Sequence, residues 1–240
     1  MPPFLTIAIP TMRRWSFLKT MIPIFLARPE VSEVVLSDET GEDYAEAMAA
    51  FGKEKANPKL RLYKNETRLG IYQNKRKALS LCKKGWVALL DSDNVFPDEW
   101  FDFLAELDFS DTKRIYGSAD FKTLHTDTGK VETPCTQFAG TVLNKKTWDT
   151  FLHKPKCFYL LNDGNWILHS ESLSYLPAET KSETVQAADA IFMLWMLMKN
   201  GYSIHYPAGL EYIHMTHPGS SWIQTQDASL KVLLGTDWRV

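Results

Sequence analysis

The 240 residues suffice for one large domain or two small ones, with enough chain to bury a substantial core. With 27 basic residues against 29 acidic ones and a net charge of −2, no global field recruits nucleic acid or an anionic membrane. Three widely spaced cysteines, Cys82, Cys135 and Cys157, make neither a disulfide framework nor a zinc pattern, and they read as buried thiols of a reducing compartment.

The opening MPPFLTIAIPTMRRW carries a short apolar run without a small-residue cleavage site, so a signal peptide is not expected. The most apolar later segment, Ala187 to Met198, contains Asp189 and is too short to span a bilayer. Without secretion the sequon Asn65-Glu66-Thr67 carries no weight. No internal repeat or low-complexity segment stands out. The expectation is a cytoplasmic protein with no transmembrane segment and no nucleic-acid partner.

In chain order, Phe4 to Ile9 predicts a first strand stopped at Pro10-Thr11. From about 13 to 26, Trp15, Leu18, Ile22 and Phe25 recur at helical spacing, with Pro23 expected to kink or shorten the helix. Val31 to Ser37 predicts a second strand running into Asp38-Glu39-Thr40-Gly41. A helix is expected over 44–55, then a short strand over 60–63. Arg68-Leu69-Gly70 reads as a turn before a basic helix over 72–83, which holds Asn74 and Lys75. Trp86 to Leu90 is an almost wholly apolar run after Lys83-Lys84-Gly85, which predicts a buried fourth strand. That strand ends in Asp91-Ser92-Asp93-Asn94, and Pro97 blocks its continuation.

Such β-α alternation predicts a mostly parallel sheet with helices on both faces. The loops after strands one, two and four would open on one edge, where open α/β sheets place ligands. Asp91 and Asp93 lie one residue apart at that edge. Unpaired they would repel and be costly to bury, so a hard cation gripping phosphate oxygens suits them. A solvated turn is the simpler alternative. An EF-hand is excluded, because Phe96 and Asp102 stand where Gly and Glu are required. An aspartyl-nucleophile phosphohydrolase remains open, although its Asp-x-Asp motif usually begins the domain.

The second half is less regular. Arg114 to Asp120 and Phe138 to Leu143 predict strands, the latter with Gly140 at a possible close backbone approach. Asn162-Asp163-Gly164-Asn165-Trp166 is a turn signal, with Trp166 a minor candidate for a sugar platform. Gln186 to Asn200 predicts an apolar helix closed by Gly201, with Asp189 in its first turn. His214 and His217 follow a strand-like run from Leu210 to Ile213, and the loop 218–222 comes next. The tail from Gln224 to Val240 has no clear role.

The order of these pieces resembles the nucleotide-binding half of GT-A fold glycosyltransferases, most closely the inverting family 2. The resemblance rests on Ala8-Ile9-Pro10-Thr11, on Ser37-Asp38-Glu39, on Asn65 with Arg68 to Lys75, and on Leu89-Leu90-Asp91-Ser92-Asp93-Asn94. It covers about residues 4–110 well and continues loosely to about 222. It implies a single α/β GT-A domain: a Rossmann-like nucleotide-sugar half over about 1–110, a mixed acceptor half over about 111–222, and a tail over 223–240. The implied activity is inverting transfer from a nucleotide-sugar, a UDP-sugar first among them, to the hydroxyl of a glycan or other acceptor.

The resemblance also implies roles. Asp91 and Asp93, with Ser92 between them, would meet the diphosphate and Mn²⁺ or Mg²⁺, joined by His217 or His214. Asp38 would meet the base or ribose, with Pro10, Thr11 and Arg14 flanking the nucleotide. Arg68, Gly70, Asn74 and Lys75 would line the phosphates. Asp189 would be the general base, with Glu183 and Asp163 as reserves. Gly140 and a following lysine, Lys145 or Lys146, would lie near the donor sugar. Besides the phosphohydrolase with Asp91 as nucleophile, a non-catalytic nucleotide-sugar-binding module is the third reading.

Overall fold

A computed structural model describes residues 3–52, 57–178 and 188–218. Glu183, the start of the predicted last helix at Gln186, Gly219 to Trp222 and the tail lie outside the described residues. The first half alternates as expected: β1 (Leu5–Thr11), α1 (Trp15–Ala27), β2 (Val31–Asp38), α2 (Glu42–Phe51), β3 (Leu60–Lys64), α3 (Ile71–Leu81) and β4 (Trp86–Leu89). These four strands run parallel in the order β3-β2-β1-β4. The apolar side chains of β1, β2 and β4 are buried on both faces, which is why these strands read as largely hydrophobic runs, while the edge strand β3 is only partly buried.

β1 runs two residues past its expected stop. Pro10 is tolerated because pairing with β4 ends at Ala8, while Thr11 still reaches Asp38 of β2. Pro23 does not shorten α1. It lies on the exposed face, opposite Leu18, Met21, Ile22 and Phe25, so the carbonyl it leaves unpaired faces solvent.

The second half adds the antiparallel character. Beyond α4 (Asp98–Asp102) come β5 (Arg114–Gly117), β6 (Lys122–His125), β7 (Val131–Glu132), β8 (Thr141–Leu143), α5 (Trp148–Leu152) and α6 (Cys157–Leu161). β9 (Trp166–His169), α7 (Asp189–Lys199), β10 (Ser203–Tyr206) and β11 (Ile213–Thr216) follow. β9 inserts antiparallel between β4 and β5, extending the sheet to eight strands as β3-β2-β1-β4-β9-β5-β10-β8. A second sheet, β11-β6-β7, is tied to the exit of β4 by a bridge between Val95 and Ile213.

Two sequence expectations change here. Trp166 is fully buried on β9, so it is a core residue and not a sugar platform. Gly140 has a φ of +80° with open space around it, so it serves a left-handed turn and not a close approach.

The strand ends are bound together by Asn74, on the buried face of α3. Its Oδ1 accepts from Ser37 Oγ (2.8 Å) and Asn65 Nδ2 (3.0 Å). Its Nδ2 donates to the carbonyls of Ser37 (3.1 Å) and Thr11 (3.4 Å). Asn74→Ala therefore orphans several buried polar groups and is expected to cost about 3 kcal/mol. A drop of roughly 6–12 °C in Tm would follow. A thermal melt within about 1 °C of the parent would contradict this structural role.

Candidate active site

The loops after β1, β2 and β4 do open on one edge, and local rules explain their shapes. After β1 the chain turns at Arg13, held at φ +58°, a strained conformation for a residue with a side chain. The turn is fixed by Asp43 of α2, which accepts from Thr11 Oγ1 (2.6 Å) and from the Arg14 backbone amide (2.8 Å). Asp43 was not singled out from the sequence, where it reads as an ordinary helix-start acid.

Asp38 and Glu39 turn inward. The Asp38 carboxylate is fully buried and accepts from the backbone amides of Thr40 (3.0 Å) and Tyr44 (2.8 Å), capping α2. Glu39 accepts from the amides of Leu69 (2.7 Å) and Gly70 (2.8 Å) and so ties down the turn before α3. Gly70 adopts φ +86°, ψ 166°, a conformation essentially reserved for glycine. Asp38, Gly70 and Asn74, expected on the nucleotide, thus hold the loops that frame the site. Arg68 is exposed beside them.

Leaving β4, the chain splits its two aspartates between two clusters. The Asp91 amide donates to Asn165 Oδ1 (2.8 Å), so the 162–166 loop clamps the strand exit. The Asp91 carboxylate turns toward Lys75 of α3 (3.1 Å), and Lys75 also meets Asp189 at the start of α7 (2.9 Å). Lys75 and Asp189 are both nearly buried. Burial works against the Lys75 charge, but Asp189 and Asp91 outweigh it and hold the ammonium above its ordinary range. For Asp189, burial dominates over Lys75 and raises the carboxyl above the usual carboxylate value.

Asp93 faces the other way. Its Oδ2 lies 3.0 Å from His217 Nε2 and 3.4 Å from Arg14 Nε. Burial opposes its ionisation, but the His217 hydrogen bond and the Arg14 guanidinium prevail and hold the carboxyl below its usual range. His217 reaches this position because Asn94 Oδ1 accepts from the Met215 amide (2.9 Å), which docks β11 onto the exit of β4. Its ring also packs on Phe17 of α1 (5.5 Å between centroids). Ser92 sits between the two clusters, partly buried.

This arrangement narrows the expected cation ligands. Of the two aspartates at the exit of β4, Asp93 is the one that meets an imidazole among the described residues, His217, a donor pair that suits Mn²⁺. Asp91 is drawn to Lys75, and His214 packs between Phe121 and Tyr212. Among the described residues, no three His, Cys, Asp or Glu side chains converge as a ready-made ion cage.

Asp163, within the 162–166 loop, is buried. Its Oδ1 accepts from Asn165 Nδ2 and Tyr212 Oη, both at 2.6 Å. Burial pushes its carboxyl up to about 6, against the pull of His214 and these hydrogen bonds. Gly164, the next residue, lies against the first cluster: a Cβ there would meet Asp91 Oδ2 at 2.8 Å and press on the Lys75 ammonium. Gly164→Ala is therefore expected to loosen the Lys75 contacts. A destabilisation of about 1–3 kcal/mol by denaturant titration is the expected outcome. An unchanged midpoint would show that the loop moves freely from the cluster.

Comparison with known proteins agrees with this architecture. The family described as Glycosyl transferase family 2 matches residues 6–159. The fold is similar to S. aureus TarS 1-349 in complex with UDP-GlcNAc, with TM-score 0.63 and 18% identity over 92% of this chain and 60% of that one. A second structure of TarS 1-349 gives TM-score 0.62 and 16% identity, over 99% and 66% of the two chains. GalNAc-T7 with UDP, GalNAc and Mn²⁺ gives TM-score 0.63 and 13% identity, over 99% and 49%. The chain thus spans about half to two thirds of the length of these structures. No curated protein matches the sequence. Among the described residues, no helix is long and apolar enough to cross a membrane.

Proposed function

Because the chain belongs to glycosyl transferase family 2, we propose that it moves a sugar from a nucleotide-sugar, a UDP-sugar first among them, to an acceptor hydroxyl with inversion. The observation that carries this reading is the split of Asp91 and Asp93 at the exit of β4. One aspartate is joined to a buried lysine and a second carboxylate, the other to an arginine and a histidine.

Asp93 and His217 would hold Mn²⁺ or Mg²⁺, with diphosphate oxygens completing the shell, and the ion would offset charge on the leaving diphosphate. Arg14, beside Asp93, adds positive charge on the same side of the site. Lys75 fixes Asp189 and Asp91 relative to each other. Asp189 takes the proton of the acceptor hydroxyl as its oxygen bonds to the anomeric carbon. The bond from that carbon to the phosphate oxygen breaks, and its electron pair leaves with the nucleoside diphosphate. Support for a UDP-sugar and Mn²⁺ comes from the UDP-GlcNAc in TarS and the UDP and Mn²⁺ in GalNAc-T7.

The test is a thermal-shift series with UDP-, GDP- and dTDP-sugars, with and without Mn²⁺. A ligand at a hundred times its Kd stabilises the folded state by about 2.7 kcal/mol. A UDP-sugar is expected to raise Tm by several degrees with Mn²⁺ and less without it. Asp93→Asn and His217→Ala are expected to lose the Mn²⁺-dependent part. No shift with any nucleotide-sugar would sink the proposal, and a Mn²⁺ increment surviving both variants would reassign the ligands.

A further inference from the structure

The described residues of the second half leave a cleft of about 390 Å³ to which the residue roles above assign nothing. Its size falls within the roughly 300–1,000 Å³ of small-molecule sites. It lies between the β11-β6-β7 sheet and the segment from Lys156 to Asp163, and no residue of β1 to β4 or their loops lines it. It nevertheless shares a wall with the aspartate clusters. Asp163 lines it, while the adjoining Gly164 lies against Asp91 and Lys75. His214 lines it as well, close enough to Asp93 to act on its charge.

The lining mixes hydrogen-bonding groups with aromatic faces. Thr123, Thr133 and Thr216 offer hydroxyls, and Phe121 and the exposed Tyr159 offer rings. Asp163 is only 3% exposed, yet its Oδ2 finds no partner among the described groups. A buried carboxylate oxygen left unmatched is costly, and a ligand hydroxyl would complete it. His214 Nδ1 is a second buried atom without a partner there.

The charges on the rim are unequal. Glu132 is matched by Lys130 (2.5 Å) and His125 (3.2 Å). Lys156 is exposed and makes no ion pair among the described residues, and its backbone is held at φ +64°, a strained position for a lysine. The same exposed run adds Lys145, Lys146 and Lys154 against one acid, Asp149.

We infer that this cleft is the acceptor site, and that it takes a sugar unit bearing an anionic group, phosphate or carboxylate. Asp163 accepts a ring hydroxyl, and Lys156 meets the anion at the mouth. The inference rests on the transferase reading, because it is the shared wall with Asp91 and Asp93 that gives the cleft its partner.

Calorimetry on the full chain with UDP and Mn²⁺ tests it, using glucose, glucose 6-phosphate and glucuronate as probes. At least one anionic sugar is expected to bind about tenfold or more tightly than glucose, as one charge-assisted contact allows. Whether glucose 6-phosphate or glucuronate gains more tells phosphate from carboxylate. Lys156→Gln, an exposed and foldable change, is expected to bring the anionic sugars down to the glucose level. Asp163→Asn is expected to weaken all three about tenfold. Equal binding of the three sugars, or none with UDP bound normally, overturns the acceptor assignment and leaves the transferase reading standing. Failure to bind UDP itself overturns both.

Discussion

Replacing Asp189 with asparagine is expected to lower transfer by a factor of about 10²–10⁴, the usual contribution of a positioned general base. Affinity for UDP and Mn²⁺ should change by no more than about twofold, because the base acts on the acceptor and not on the donor. The side chain starts α7, is almost wholly buried, and lies 2.9 Å from Lys75. Asparagine keeps its shape but cannot take a proton. The pH profile gives a second reading. Burial raises the Asp189 carboxyl, with Lys75 pulling against it, so the ionised base is present only above that raised value. The kcat of the parent is therefore expected to rise with pH as that carboxyl ionises and then level off, and the variant should lose that rise. A variant retaining near-normal kcat would remove Asp189 from the role of base.

Replacing Lys75 with methionine should have the largest effect on stability. The ammonium is nearly buried and is shared by Asp91 and Asp189, which also repel each other. Removing it strands two carboxylates, one of them buried, at an expected cost of about 3–5 kcal/mol. For a chain of this size that corresponds to a Tm lower by roughly 6–20 °C. Adding Asp189→Asn to Lys75→Met should recover part of the loss, since one stranded charge disappears with it. A parent-like melt for Lys75→Met would mean that water already screens these charges.

The core side of the first half was legible because its signals are local. Apolar runs of strand length alternate with amphipathic segments, and this pattern predicts parallel strands, which the structure has in the order β3-β2-β1-β4. The exit of β4 was legible for the same reason, since an apolar strand ends abruptly in acids. β9 was not. Its four residues follow the turn signal at Asn162 to Asn165, and a short strand inserted antiparallel has no periodicity of its own to detect.

Within the site, residue type alone leaves two readings where one chemistry serves two purposes. An aspartate at a strand end can face a ligand or cap the next helix, and Asp38 caps. An asparagine near phosphates can bind them or satisfy strand ends, and Asn74 does the latter. Lys75 carried an overlooked clue. It falls on the buried stripe of α3 with Tyr72, Ala78 and Leu79, where a lysine needs an acidic partner.

The sequence by itself determined the parallel strands, the helices between them, and the edge on which Asp91 and Asp93 emerge, because hydrophobic spacing is written within a few residues. Only the tertiary structure decided which partner each aspartate receives. Asp93 meets His217 across 124 residues, and Asp91 is clamped by Asn165 across 74. Such pairings arise from how β9 and β11 dock against β4 and its exit, and no local pattern along the chain encodes a contact between segments so far apart.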